Sequence, residues 1–178
     1  PMKKIDFVVS YALPAFVLGL IQTIVCIVAG YVISLFIGSG YIGFADCLLL
    51  AAEQLPALIL NVFSGIIAGA LLNEKSAPAI TSVVISASGI LGGAWMPLDT
   101  MGGFETFCKF LPFYPSVYLG RIITGATHTP TDFANPAAVS AYSFDATGVV
   151  SVIVLSVYAL SAIIFSVITF GKMMKKAD

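Results

Sequence analysis

The chain has 178 residues, of which 59% are hydrophobic and 10% are charged, and its formal net charge is −1. A soluble domain carries about 25% charged residues, so this composition excludes a soluble globular protein. The small net charge does not identify a binding partner. We expect that the protein does not bind nucleic acid. We predict one all-α integral membrane domain over residues 1–178. Because the chain begins with Pro1 rather than Met, we expect it to be an excerpt of a longer protein or a processed product.

The first apolar run covers residues 7–37, longer than the ~20 residues that a membrane-spanning helix needs. Its first turns are therefore expected to lie at the membrane interface, before Pro14 allows a bend. Gln22 is the strongly polar side chain in its middle. It is either an amide satisfied by a neighbouring helix, which we favour, or a substrate contact.

The second predicted span covers residues 46–72 and contains Glu53 near its outer boundary. A carboxylate near the interface can be hydrated and act as an anchor, which is the interpretation that we favour. The alternative is a carboxylate that lines a transport path, because ionisable side chains at membrane depth are usually functional.

The third predicted span, residues 78–98, is rich in small and polar side chains and breaks at a glycine pair. We expect it to be buried against other helices or against its counterpart in another subunit. A polar loop that holds the one histidine, His128, leads to the fourth span, residues 149–170. A lone loop histidine is typical of a solvated surface and predicts no metal site.

Residues 99–125 form neither a span nor an ordinary polar loop. They contain two short amphipathic pieces, each about half the length that crosses a bilayer. The first pairs Glu105 with Lys109, four residues apart, and the second begins at Pro115 and ends at Gly125. This pattern predicts an extracytoplasmic re-entrant or interfacial helical hairpin. The candidate hairpin and path residues are Trp95, Pro97, Phe104, Phe107, Pro112, Pro115 and Tyr118.

The positive charges predict the orientation of four spans in the cell membrane. With both ends of the chain inside, the inner side holds Lys3, Lys4, Lys75, Lys172, Lys175 and Lys176, and the outer side holds Lys109 and Arg121. Inner loops carry the excess of Lys and Arg in membrane proteins, so both ends are predicted to be cytoplasmic.

The motifs of self-contained catalysis are absent from the sequence. It has no phosphate-binding G-x-x-x-x-G-K-[ST] loop, no H-E-x-x-H pair and no G-x-S-x-G nucleophile turn. We therefore predict no catalytic, cofactor-binding or metal site on this chain. Of the three cysteines, Cys47 and Cys108 are both expected outside, but no paired spacing requires a disulfide between them.

Three stretches resemble the membrane subunit of type-2 ABC exporters. They are PMKKIDFVVSYALPAFVLGL at residues 1–20, GALLNEKSA at residues 69–77 and GAWMPLDTMGGFETFCKFLPFYPSVYL at residues 93–119. Residues 1–20 resemble the coupling segment before that family's third span, and residues 69–77 resemble the inner turn between its fourth and fifth spans. Residues 93–119 are similar to its G-x-x-x-P-L … L-P … P … Y region.

The resemblance implies that the chain is spans three to six of a six-span permease. Its partners would be an ATPase subunit that holds ATP and Mg²⁺, a second permease copy and membrane lipid. The residues implied in coupling to the ATPase are Lys3, Lys4, Asp6, Asn73, Glu74 and Lys75. The apolar spans suit export of an amphipathic or hydrophobic drug, lipid or peptide. The alternatives are a non-transporting assembly or immunity module and an ion-coupled secondary carrier that uses Glu53.

The orientation predicts a labelling pattern. Single cysteines placed at Ser76 and Lys175 should be protected from a membrane-impermeant thiol reagent in intact cells, and one at Thr131 should react, because loops rich in Lys and Arg stay inside. Permeabilised cells, in which all three should react, are the control. Labelling at Ser76 but not at Thr131 in intact cells would reverse the topology.

Overall fold

The computed structural model describes residues 4–37, 42–73, 75–96, 98, 101–127 and 141–177. Within these residues the chain forms helices and one isolated antiparallel bridge, Thr127 to Ala141, with no strand. The helices are α1 (Lys4–Ile37), α2 (Phe44–Leu71), α3 (Ala77–Leu91), α4 (Gly103–Cys108), α5 (Tyr114–Ile123) and α6 (Ala146–Ala177). The prediction of an all-α protein is confirmed for the part of the chain that the structure describes.

Among the described residues, three helices are long and apolar enough to cross a membrane. Their apolar segments are Val8–Ile37, Phe44–Leu71 and Ala146–Thr169. They agree with the predicted spans at residues 7–37, 46–72 and 149–170. α1 is one continuous helix through Pro14, so the predicted bend does not interrupt it.

The helix of the third predicted span is shorter than expected. α3 has 15 residues and is about 22 Å long at ~1.5 Å per residue. It ends at Leu91 rather than at residue 98 because Gly93 takes a left-handed conformation with φ +75°. The N–H groups of Gly93 and Ala94 then turn back to the carbonyls of Ile90 and Gly89, at 3.0 and 2.9 Å, which closes the helix.

The expected burial of α3 against other helices of this chain is wrong. None of its residues is buried, because the three long helices pack against one another and leave α3 outside. The main core lies between α2 and α6, and α1 packs mostly on α2. The buried side chains of that core are Ala57, Leu60, Leu155, Ala159 and Ala162.

The two short helices form at the places that the sequence predicts, with different lengths. α4 has six residues rather than about ten, and its Glu105 pairs with Lys109 at 3.0 Å. α5 begins with Pro115 in its first turn, where a missing N–H costs nothing. It ends before Gly125, whose φ of +64° suits glycine.

A cluster of tyrosines joins these short helices to the ends of α3 and α6. Tyr114 and Tyr118 stack with ring centres 5.6 Å apart, and Tyr142 meets Tyr118 edge-on at 5.4 Å. The cluster also buries Leu98 and Cys108 completely. α5 itself also packs against α2 and α6.

Arg121 connects the same elements through its guanidinium. It donates one hydrogen bond to the carbonyl of Gly93, at 2.6 Å, and another to the hydroxyl of Tyr142, at 3.0 Å. The planar guanidinium presents several N–H donors in a fixed arrangement, so one side chain can bind both acceptors. Arg121 therefore ties α5 to the closing turn of α3 and to the segment before α6.

Asp145 begins α6 and also contacts α5. Its Oδ1 accepts hydrogen bonds from the N–H groups of Thr147 and Gly148 and from the hydroxyl of Tyr118, at 2.9, 3.2 and 3.2 Å. The N–H of Gly148 contributes most to lowering the pKa of Asp145, because it stabilises the carboxylate. The start of α6 is thus joined to the tyrosine cluster.

Candidate functional site

The predicted hairpin and path residues do not form one continuous lining. Trp95, Phe104 and Phe107 are exposed, by 67%, 41% and 59%. Pro115 and Tyr118 are buried in the packing of α5. Pro97 lies outside the described residues. The aromatic side chains of the set are therefore on the surface, whereas Pro115 and Tyr118 belong to the buried packing. Pro112 lines a small cavity beside α2.

The polar centre of the structure lies between α2 and α5 instead. Gln54 donates hydrogen bonds from Nε2 to Oε2 of Glu53, at 2.8 Å, and to Oγ of Ser116, at 3.0 Å. Ser116 follows Pro115 in the first turn of α5 and is 62 residues from Gln54 along the chain. We call Glu53, Gln54 and Ser116 the polar triad.

The carboxylate of Glu53 is only half satisfied. Its Oε2 accepts the hydrogen bond from Gln54, but its Oε1 is buried and has no hydrogen-bond partner among the described residues. A buried polar atom without a partner costs about 1–3 kcal/mol, and a charged one costs more. The interfacial-anchor interpretation requires hydration of this side chain, which is partly buried and whose Oε1 has almost no surface accessible to water.

Glu53 lines a cavity of about 310 Å³ between α2, α5 and α6. We call it the Glu53 cavity. Its other lining residues are Leu49, Ala52, Pro56, Leu119, Ile122, Ile123, Phe144, Val152, Leu155 and Ser156. Among these, Glu53 alone is ionisable, and Ser156 adds one hydroxyl to an otherwise apolar wall.

Gln54 of the polar triad also lines two further cavities. One of about 520 Å³ lies between α1 and α2 and is lined by both Gln22 and Gln54. The other, of about 220 Å³, is lined by Gln54, Ser116 and Pro112 together with polar groups of α2 and α3. The two polar residues predicted within spans, Gln22 and Glu53, therefore lie in different cavities that both adjoin α2.

The predicted coupling residues occupy two places. Lys4 and Asp6 begin α1, and Asn73 and Lys75 lie in the short connection between α2 and α3. The carbonyl of Asn73 accepts hydrogen bonds from the next turn, which keeps this connection tight. Asp6, Asn73 and Lys75 are exposed. Lys3 and Glu74 lie outside the described residues.

The described residues hold no group of His, Cys, Asp and Glu side chains that could bind a metal ion. All three cysteines are free thiols, with Cys108 buried in the tyrosine cluster and Cys47 only partly covered. The disulfide left open between Cys47 and Cys108 is therefore absent from this structure.

Comparison with known proteins adds no relative. No family model, no curated protein and no solved structure matches this chain.

The contact between α2 and α5 predicts a stability effect. Ser116→Ala should lower the free energy of unfolding by about 1 kcal/mol, because the Gln54 amide loses one hydrogen-bond partner. The measurement is thermal or denaturant unfolding of the purified protein in detergent. Ser161→Ala is the matched control, since the exposed Ser161 hydroxyl bonds to the carbonyl of Tyr158 within its own helix and its loss should cost less than about 0.5 kcal/mol. Equal effects of the two substitutions would contradict the contact.

Proposed function

We propose that this chain is the permease portion of an ATP-driven exporter of amphipathic or hydrophobic molecules. The observation that carries the proposal is the pair α4–α5, whose helices are both too short to cross a bilayer and of which α5 packs against α2 and α6. Such short helices are tolerated at membrane depth only where other protein covers them. The resemblance at residues 1–20, 69–77 and 93–119 supports the same function.

In this proposal α3 is the fourth membrane-spanning element. At 15 residues it is short for a span, but local thinning of the bilayer and the apolar segment after it can compensate. Four spans place both ends of the chain on the cytoplasmic side, as the distribution of Lys and Arg predicts. Trp95, Phe104 and Phe107 then lie at the outer interface, where exposed aromatic side chains are favoured.

A second permease copy is part of the proposal. α3 buries none of its residues within the chain, and it carries Ser82 and Ser86 among small side chains. On α2, a side-chain carbon added at Gly65 or Gly69 would meet nothing within 4 Å. Small residues allow close approach of helices in membranes, which supports a homo- or heterodimer.

The exporter needs an ATPase subunit, because the sequence has no phosphate-binding loop of its own. ATP and Mg²⁺ are assigned to that subunit. Its motion would reach the spans through the cytoplasmic start of α1 and the connection between α2 and α3. The first test is co-purification of the full-length protein with an ATPase, followed by measurement of substrate-stimulated ATP hydrolysis.

Charge reversal at the start of α1 tests the coupling. Lys3→Glu with Lys4→Glu should reduce ATPase association and transport together, because charged contacts at the edge of the ATPase are replaced by repulsion. Lys175→Glu with Lys176→Glu is the matched control, since we assign these lysines to anchoring at anionic lipid. Expression and orientation are checked first in both variants. Normal association and transport in the Lys3/Lys4 variant would refute the coupling assignment.

An ion-coupled secondary carrier is the second candidate, and the half-satisfied carboxylate of Glu53 favours it. The two candidates differ in their dependence on that charge. For the exporter, Glu53→Gln should leave ATP-driven transport of an uncharged substrate nearly unchanged across pH. A large loss of transport with normal expression, in a protein that binds no ATPase, would support the carrier instead.

A further inference from the structure

We propose that the cavity of about 520 Å³ between α1 and α2, which Gln22 lines, binds a neutral lipophilic molecule that carries an amide group. We call it the Gln22 cavity. The amide of the ligand would exchange hydrogen bonds with the carboxamide of Gln22, and its apolar body would fill the remaining space. Binding requires neither an ATPase nor transport, so this inference goes beyond the exporter proposal and stands or fails separately.

Gln22 carries its carboxamide at a depth where hydrogen-bond partners are scarce. It lies near the middle of the apolar segment Val8–Ile37, the residue is exposed, and it forms no hydrogen bond with the described residues. An amide in an apolar environment is strongly destabilised unless it finds a hydrogen-bond partner. A carboxamide both donates and accepts, so another amide is a partner that satisfies both of its functions.

The other hydrogen-bonding side chains of the lining already have partners. Gln54 donates both N–H groups of its amide within the polar triad, and the Thr23 hydroxyl donates to the carbonyl of Gly19 at 2.9 Å. Gln22 is therefore the lining carboxamide whose N–H groups and carbonyl are all free. Since no hydrogen bond with the described residues fixes its orientation, this exposed side chain can turn toward a ligand in the cavity.

The absence of charge in the lining determines the charge of the ligand. Among the described residues that line the Gln22 cavity, none is Asp, Glu, His, Lys or Arg. A charged group would have no counterion there, and burial of an unpaired charge is costly. The rest of the lining is largely apolar, and the volume is in the range of small-molecule sites. These properties favour a neutral amide on a lipophilic body over an amine or a carboxylate.

Two glycines of α1 determine where the lipophilic body can lie. A side-chain carbon added at Gly19 would come against Leu58, whereas one added at Gly30 would meet nothing within 4 Å. The cavity is therefore closed beside Gly19 and open beside Gly30. From Gln22 to Gly30 the helix advances about 12 Å at ~1.5 Å per residue, which is room for a chain of several methylene groups and one ring.

The test compares 6-phenylhexanamide with 7-phenylheptan-2-one, in which a methyl group replaces the NH₂ of the amide. Binding to the full chain is measured by equilibrium dialysis in nanodiscs of phosphatidylcholine, and empty nanodiscs give the concentration of each probe in the bilayer. Relative to that concentration, the amide should bind saturably, with about one site per chain. It should bind roughly 5- to 10-fold more tightly than the ketone, because only the amide can donate to Gln22. Absence of saturable amide binding, or equal affinity for the two probes, would overturn the proposal.

Two substitutions locate the site. Gln22→Leu should make the two probes bind equally, and Gly30→Phe should abolish the binding of both by filling the cavity. Asn61→Leu is the matched control for the first, because it removes an exposed carboxamide of α2 that lines a different cavity. Gly65→Phe is the matched control for the second, because it adds a ring at another open glycine, outside the Gln22 cavity. Both controls should leave amide affinity unchanged.

The comparison of the two probes uses the unmodified chain, so misfolding of a variant does not remove the test. Amide binding that persists in folded Gly30→Phe, or a preference for the amide that persists in folded Gln22→Leu, would overturn the proposal. Loss of amide binding in folded Asn61→Leu or Gly65→Phe would place the ligand elsewhere and would also overturn it.

Discussion

The structure depends on the guanidinium of Arg121. It donates to the carbonyl of Gly93 at 2.6 Å and to the hydroxyl of Tyr142 at 3.0 Å, so one side chain joins the turn after α3, the last turn of α5 and the segment before α6. Bonds from a charged donor are stronger than neutral ones and strengthen further where water is excluded. Tyr142, which accepts one of these bonds, also meets Tyr118 edge-on at 5.4 Å. Without Arg121, α5 would keep the Gln54–Ser116 and Tyr118–Asp145 hydrogen bonds but would lose its hydrogen bond to the turn that closes α3.

The position of α5 determines the geometry of the polar triad. Ser116 reaches Gln54 because α5 lies against α2, and Gln54 in turn holds one oxygen of Glu53. The other oxygen is left without a partner beside a cavity whose walls are almost entirely apolar. An unsatisfied carboxylate oxygen is costly in such surroundings and is uncommon unless it serves a ligand or a proton. The same arrangement underlies the second candidate function.

Local patterns in the sequence predicted much of the fold. They could not predict contacts between residues that are far apart along the chain. Apolar length predicted the three long helices, and proline and glycine marked the limits of α5. The glycine pair was recognised as a break, but the span was continued to residue 98 because Trp95 and its apolar neighbours extend the hydropathy, whereas the left-handed turn at Gly93 ends the helix. Gln54 and Ser116 are 62 residues apart, and nothing local indicates that they meet. In the sequence, Arg121 was used only as one of the two positive charges on the outer side, and its hydrogen bonds were not predicted. Gly125 correctly predicted the end of the helix that contains Arg121.

The most direct test of the role of Arg121 is the distance between spin labels at Leu48 of α2 and Phe110 beyond α4, both exposed. Cys26 and Cys47 are replaced by alanine, and the buried Cys108 is retained. A further pair of labels, at Leu48 and Val150 of α6, monitors the main core. Arg121→Gln should broaden or lengthen the first distance distribution and leave the other unchanged, because only the short helices lose their connection. An unchanged distribution between Leu48 and Phe110 would contradict the account.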